Sequence, residues 1–210
     1  MARPRNSVLN LLVSQLLRRE EDEILIFFNA VANNQKGKVL RFLNAGFHPN
    51  TRIRKNHGEG KKLDSGMALI AGMTAMHCAA INGHDSMIEI LRRRGGDLEI
   101  ADKLDFTPLL YAVQNQQDLT AAVLWRLGAS VHARTSTGKN ILHLAVEQNR
   151  EEKSAFHFLE IILTWLTHAL IDINAMDQDK NTALLLAAFY NRTSTVRWLL
   201  KEERKIMRIK

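Results

Sequence analysis

The chain has 210 residues, of which 46% are hydrophobic, with 3 prolines, 11 glycines and a formal charge of +7. That length and apolar content suit one buried domain or a short repeat array, and exclude general disorder and linker-rich or collagen-like chains. The single cysteine, Cys78, excludes an internal disulfide framework and a cysteine-rich zinc module, and it fits the reducing cytosol or nucleus.

The basic excess is shared between the halves. Residues 1–105 carry 16 Lys+Arg and 12 Asp+Glu, and residues 106–210 carry 13 and 10. A dedicated nucleic-acid domain concentrates its charge more than this. No stretch reaches the ~18 consecutive apolar residues of a membrane span. The longest apolar stretch, near Phe156 to Leu170, is broken by His157, Glu160, Thr164 and His168.

Residues 1–23 come first in the chain. Leu9, Leu12, Val13, Leu16 and Leu17 have the i, i+3, i+4, i+7, i+8 spacing of an amphipathic helix, predicted to cap the domain that begins at residue 24. Asn10, Ser14 and Gln15 interrupt the block and no small-residue cleavage site accompanies it, so it does not read as a secretory signal. The absence of an acid before Glu20 leaves a mitochondrial presequence open.

Residues 24–203 repeat. Thr74 to Thr107 is 33 positions, Thr107 to Asn140 is 33, and Asn140 to Thr182 is 42, or 33 plus a nine-residue insertion. Each of these residues begins a run with a small residue five places on: Ala79, Ala112, Ala145 and Ala187. An earlier copy spans about 24–50, because Ala30 to Gly46 repeats the 16-residue step from Ala79 to Gly95. Ala30 to Ala79 is 49 positions, or 33 plus a sixteen-residue insertion. The chain therefore divides into about four full repeats and a partial fifth, with insertions near 51–66 and 150–168 and a basic tail at 204–210.

The residue types suit paired helices. Thr74, Thr107 and Thr182 stand where a helix N-cap is needed, and Pro108 fits a first helical turn. Met87, Ile88, Ile90 and Leu91 give the following helix an apolar face. Gly95 and Gly128 suit the left-handed conformation that ends a helix.

Met73 to Ala80, Phe106 to Val113, Lys139 to Val146 and Asn181 to Ala188 resemble the ankyrin motif, T-P-L-H-x-A at a 33-residue period. Pro is kept once only, and Asn140 replaces Thr in the fourth repeat. The resemblance implies an all-α-dominated solenoid of helix–turn–helix repeats joined by short β-hairpins. It also implies a non-enzymatic protein-binding module, acting as an adaptor or a regulatory or inhibitory protein and expected to be monomeric. The binding residues it implies lie on a concave face. From the hairpin tips they are Lys103, Leu104 and Phe106; Ser136, Thr137 and Lys139; and Gln178, Asp179 and Asn181. From the ends of the first helices they are Asn115, Gln148, Phe189 and Tyr190. The resemblance further implies an asparaginyl-hydroxylase substrate at Asn174, with Leu166, Asp172 and Ile173 at the expected places before it.

No phosphate-binding Gly-rich loop, nucleophile elbow, kinase set or zinc-protease helix occurs in the sequence, so no catalytic residue, metal ligand or cofactor is assigned. His77 and His143 share one motif phase and read as structural, since a metal site needs convergent ligands. His157 and His168 read as surface or packing residues. Cys78 adjoins His77, but neighbours on a helix do not face each other. Trp125, Trp165 and Trp198 read as packing between repeats. Arg92, Arg93 and Arg94 read as cations at a helix C-terminus. A rival function uses the insertion, where Arg52, Arg54, Lys55, Lys61 and Lys62 face Glu59 alone, together with Arg204, Lys205, Arg208 and Lys210. It would bind nucleic acid or anionic lipid.

Overall fold

The apolar phases of the repeat become paired helices in a computed structural model, which describes residues 22–54, 59–148, 158–162, 164–165 and 172–207. The N-terminal capping helix expected before residue 22, His157, His168, Leu166, Lys55, most of the second insertion and the tail from Arg208 lie outside those residues. The first repeat contributes α1 (22–32) and α2 (Lys36–Asn44). The second contributes α3 (Ala75–Ile81) and α4 (Asp85–Arg93), and the third α5 (Pro108–Gln114) and α6 (Asp118–Arg126). The fourth contributes α7 (Ile141–Gln148) and the helical residues 158–162 and 164–165, termed α8. The fifth contributes α9 (Ala183–Phe189) and α10 (Thr193–Met207).

α3, α5 and α9 start after the predicted caps Thr74, Thr107 and Thr182. Thr107 Oγ1 accepts from Leu110 N at 3.4 Å, with Pro108 in the first turn. Thr182 Oγ1 accepts from Leu185 N at 3.3 Å. Asn140, where the motif prefers Thr, does the same work, its Oδ1 accepting from Leu142 N and His143 N at 3.1 Å each. α4 and α6 end as the glycines imply. Gly95 and Gly128 have φ of +87° and +96°, and the residues after them close back on the helix through Gly96 N to Leu91 O (2.8 Å) and Ala129 N to Leu124 O (3.0 Å).

Stacking explains the small phase. α3 packs on α5, α5 on α7 and α7 on α9, and the alanines between them are buried: Ala79, Ala112 and Ala187 at 0% exposure and Ala145 at 5%. A larger side chain at this phase would force the helices apart. The apolar core runs through the repeats from Phe27 and Phe28 to Leu199. Trp125 stacks on Trp165 with ring centroids 5.1 Å apart, which joins the third and fourth repeats as packing residues should.

A second set of links was not anticipated. The residue before α4, α6 and α10 caps the first helix of the preceding repeat. His84 Nε2 donates to Ala32 O (2.8 Å), Gln117 Nε2 to Ile81 O (3.2 Å) and Arg192 Nη2 to Glu147 O (2.6 Å). His84, Gln117 and Arg192 are three different residue types at one phase, so identity alone hides the pattern. What they share is a side-chain N–H donor of sufficient reach for the unsatisfied carbonyls of a helix end.

The connections between repeats are tighter than laddered hairpins. The three later tips span five residues each, closed by Asp102 N to Phe106 O (3.0 Å), Thr135 N to Lys139 O (2.9 Å) and Asp177 N to Asn181 O (2.9 Å), with a tighter turn bond inside each. Five residues leave no room for a ladder, and among the described residues the one bridge is Lys62 with Ala68, inside the first insertion.

Candidate recognition surface

The tips are bonded to one another. Lys103 N donates to Ala71 O (2.9 Å), Ser136 N to Leu104 O (2.9 Å) and Gln178 N to Thr137 O (3.0 Å). Three of the expected binding residues therefore spend their backbone N–H on the previous tip while their side chains stand exposed. Gly138 permits this closeness, because a Cβ there would lie 2.9 Å from Gln178 N.

Asp102, Thr135 and Asp177 organise each tip from within. Asp102 Oδ1 accepts from Leu104 N (2.8 Å) and Phe106 N (3.1 Å), and its Oδ2 accepts from the Tyr111 hydroxyl at 2.5 Å. Asp177 Oδ1 accepts from Asp179 N (2.9 Å) and Asn181 N (2.8 Å). Burial opposes the charge on Asp177, but the N–H donors of Asn181 and Asp179 outweigh it and hold its carboxyl below the ordinary range. Sequence reasoning missed these three. Their signal was an acid or hydroxyl five positions before Thr107, Asn140 and Thr182.

His77 and His143 play the structural part expected of them. Thr74 N donates to His77 Nδ1 (3.0 Å), and His77 Nε2 donates to Phe106 O of the next repeat (3.0 Å). His143 repeats the forward bond to Asn181 O (3.0 Å). Burial drives the His77 pKa down to about 4 and lowers that of His143, so both rings are neutral at pH 7. Cys78 is fully buried and burial pushes its thiol pKa far up, which removes it as a nucleophile.

The expected binding residues divide by exposure. Lys103, Leu104, Ser136, Thr137, Gln178, Asp179, Asn115, Phe189 and Tyr190 are exposed, while Phe106, Lys139, Asn181 and Gln148 are half-buried. Phe106 is stacked on Tyr111 at 4.6 Å, so its ring belongs partly to the repeat itself. Phe189 is 81% exposed and meets Tyr190 edge-on at 5.3 Å. The Arg192 guanidinium lies 5.1 Å from the Tyr190 ring centre. The Tyr190 hydroxyl reaches Glu147 Oε1 (3.4 Å), and Glu147 pairs with Lys139. These bring tip and helix-end residues of the fourth and fifth repeats into one patch of mixed charge around exposed aromatic rings. Leu185, 54% exposed, and Met176, 56% exposed, were not anticipated on this end of the chain.

Asn174 is exposed, its backbone N bonded to Asp172 Oδ1 (3.0 Å) and its side-chain amide to Glu203 Oε1 on α10 (2.8 Å). Glu59 of the basic insertion pairs with Lys103, and Arg52, Arg54, Lys61 and Lys62 are exposed. Among the described residues no group of three or more His, Cys, Asp and Glu converges on a metal-sized site, and no helix is long and apolar enough to cross a membrane.

Comparison with known proteins agrees with this architecture. A family model described as ankyrin repeats in three copies matches residues 27–135 and 119–209. The transient receptor potential cation channel subfamily A member 1 of Drosophila melanogaster is 32% identical over 74 residues, covering 35% of this chain and 6% of that protein. Inversin of Danio rerio is 25% identical over 171 residues, covering 67% of this chain and 16% of its own. The B-cell lymphoma 3 protein homolog of Mus musculus is 35% identical over 75 residues, covering 35% of this chain and 17% of its own. This chain thus spans a small part of each relative's length. With the 33-residue period, the forward-bonding histidines and the stacked helix pairs, the family-model match settles the family: this chain belongs to the ankyrin-repeat proteins.

Proposed function

We propose that this protein is a non-catalytic binding module that holds partner proteins against its tips and first-helix ends, as an adaptor or inhibitor in the cytosol or nucleus. The observation that carries the reading is the contrast between neighbouring phases. The small stacking phase is alanine in every repeat and buried. The phase three residues on holds Asn82, Asn115, Gln148 and Tyr190, which differ in size and polarity. Packing dictates the first set and leaves the second free for a partner. Leu104, Phe189 and Tyr190 supply the exposed apolar and aromatic anchors on which binding energy concentrates. Asn174 is a candidate for side-chain hydroxylation within the same module. Affinity purification with mass spectrometry, repeated with Leu104→Ala and Tyr190→Ala, tests the reading. Partners lost with both variants support it, and partners retained by both refute it.

One observation favours a second reading. With Glu59 committed to Lys103, the exposed Arg52, Arg54, Lys61 and Lys62 give the insertion a net positive surface suited to nucleic acid or anionic lipid. Binding driven by phosphate weakens steeply with salt, so a titration between low and physiological ionic strength separates the two.

A further inference from the structure

The sixteen extra residues between the first and second repeats fall inside a tip rather than beside one. Ile53 N donates to Met73 O (2.9 Å), as Asp102 N donates to Phe106 O in the next tip. Ile53 is therefore the first residue of the tip and Met73 the last. Joining Ile53 to Ile70 would leave Ile70, Ala71 and Gly72 between them, the same number as Lys103, Leu104 and Asp105.

The excursion folds back on the repeats. Gly60 N donates to Leu69 O (2.8 Å) and Leu69 N to Lys61 O (2.9 Å), while Leu63 N donates to Met67 O (2.9 Å) around the turn. Leu63 and Leu69 are 4% and 1% exposed and belong to the common core. At the turn, Asp64 N donates to Asn29 Oδ1 on α1 (2.8 Å). Beside it the Asn82 amide, at the end of α3, points to Met67 Sδ at 3.6 Å. Asn82 occupies the phase of Asn115 and Tyr190, which are exposed, and of Gln148, which is half-buried as Asn82 is. At the base, Glu59 pairs with Lys103 on the following tip.

We propose that residues 59–70 are an internal ligand, seated on the recognition face of the first two repeats and leaving the later repeats open to partners. This rests on the reading that the free phase is the recognition phase. The occupant is shaped by backbone bonds within its own length, and it is held to the repeats by two leucines buried in apolar surface and by polar contacts to Asn29 and Asn82. Its removal uncovers a groove matched to a short segment with two apolar side chains and a basic edge, the chemistry of Glu59 to Ile70 itself.

The probe is a fluorescent synthetic peptide of residues 59–70, offered to the intact chain and to a variant lacking residues 54–69. The shortened variant should keep its helical circular dichroism and bind the peptide saturably, and the intact chain should not. A peptide carrying Leu63→Asp and Leu69→Asp should fail to compete. A folded variant that does not bind the peptide overturns the proposal. A second measurement uses the whole chain and needs no deletion. The Asn82 amide lies 3.9 Å from Cys78 Sγ, so in a Cys78→Ala background Asn82→Cys and Asn115→Cys each provide the single thiol of the chain. Asn82→Cys should react about tenfold more slowly with a thiol reagent, because reaction waits on local opening. Adding Leu63→Asp should remove the difference. Equal rates at both sites in the intact chain would show that the segment covers nothing. Neither measurement involves a protein partner, so failure here and failure of the binding-module reading remain distinct.

Discussion

His77 Nε2 donates to the backbone carbonyl of Phe106, 29 residues later and 3.0 Å away, and through that bond the second repeat holds the tip of the third. The two bonds together require a neutral ring with its proton on Nε2, because protonation would leave Nδ1 unable to accept from Thr74 N.

Acid should therefore loosen the array. The folded pKa of His77 is about 4, against 6.5 for the free side chain. Between those values the unfolded chain binds a proton that the folded chain refuses, so stability falls as pH drops through that window and levels off below it. The full effect is on the order of 3 kcal/mol. Urea midpoints measured at pH 7 and 4.5 should show the loss. In His77→Asn, already weaker at pH 7, the dependence should be shallower. An unchanged slope would contradict the assignment.

Ala112→Asp should break the stack, and Lys103→Ala should not. The first buries a carboxylate at a fully buried site, which costs roughly 2–5 kcal/mol. The second removes a half-exposed ion pair with Glu59, worth about 0–1 kcal/mol. Chemical denaturation of both variants checks this, and similar midpoints would refute the phase assignment.

The legibility of this chain varied by level. The period, the caps at Thr107 and Thr182, the helix-ending glycines and the buried alanines could all be read, because each depends on a residue type recurring at a fixed step. The capping donors His84, Gln117 and Arg192 could not, because their role needs reach and an N–H rather than one identity. The insertion was legible as extra length and charge. Its seat on Asn29 and Asn82 was not, since Leu63, Met67 and Leu69 carry no period of their own. Phe106 looked like a free anchor, and only its stacking on Tyr111 reveals a divided role.

That division gives a third expectation. Leu104→Ala and Tyr190→Ala should weaken partner binding about tenfold or more while leaving thermal unfolding nearly unchanged. Phe106→Ala should lower the unfolding temperature, because it removes a ring stacked at 4.6 Å on Tyr111. Titration calorimetry and thermal melts on the same three proteins decide it. Unimpaired binding by the first two would move the contact surface elsewhere.

Asn174 should gain oxygen when the protein is incubated with an asparaginyl hydroxylase, iron and 2-oxoglutarate. The hydrogen bond that its side-chain amide donates to Glu203 holds it against α10, so Glu203→Ala should raise the modified fraction. Peptide mapping by mass spectrometry reads both results. An unmodified Asn174 beside a fully modified control peptide would end the idea.

The Trp125–Trp165 stack carries an optical consequence. Two indoles in face-to-face contact 5.1 Å apart, with planes 17° from parallel, share excitation in a way that separated indoles do not. The joint between the third and fourth repeats thus contains its own spectroscopic gauge. Opening of that joint, by heat, denaturant or a bound partner prying the repeats apart, registers as a change in tryptophan emission with no dye attached. Replacing Trp198 leaves the stacked pair as the only tryptophans, because the chain has three in all.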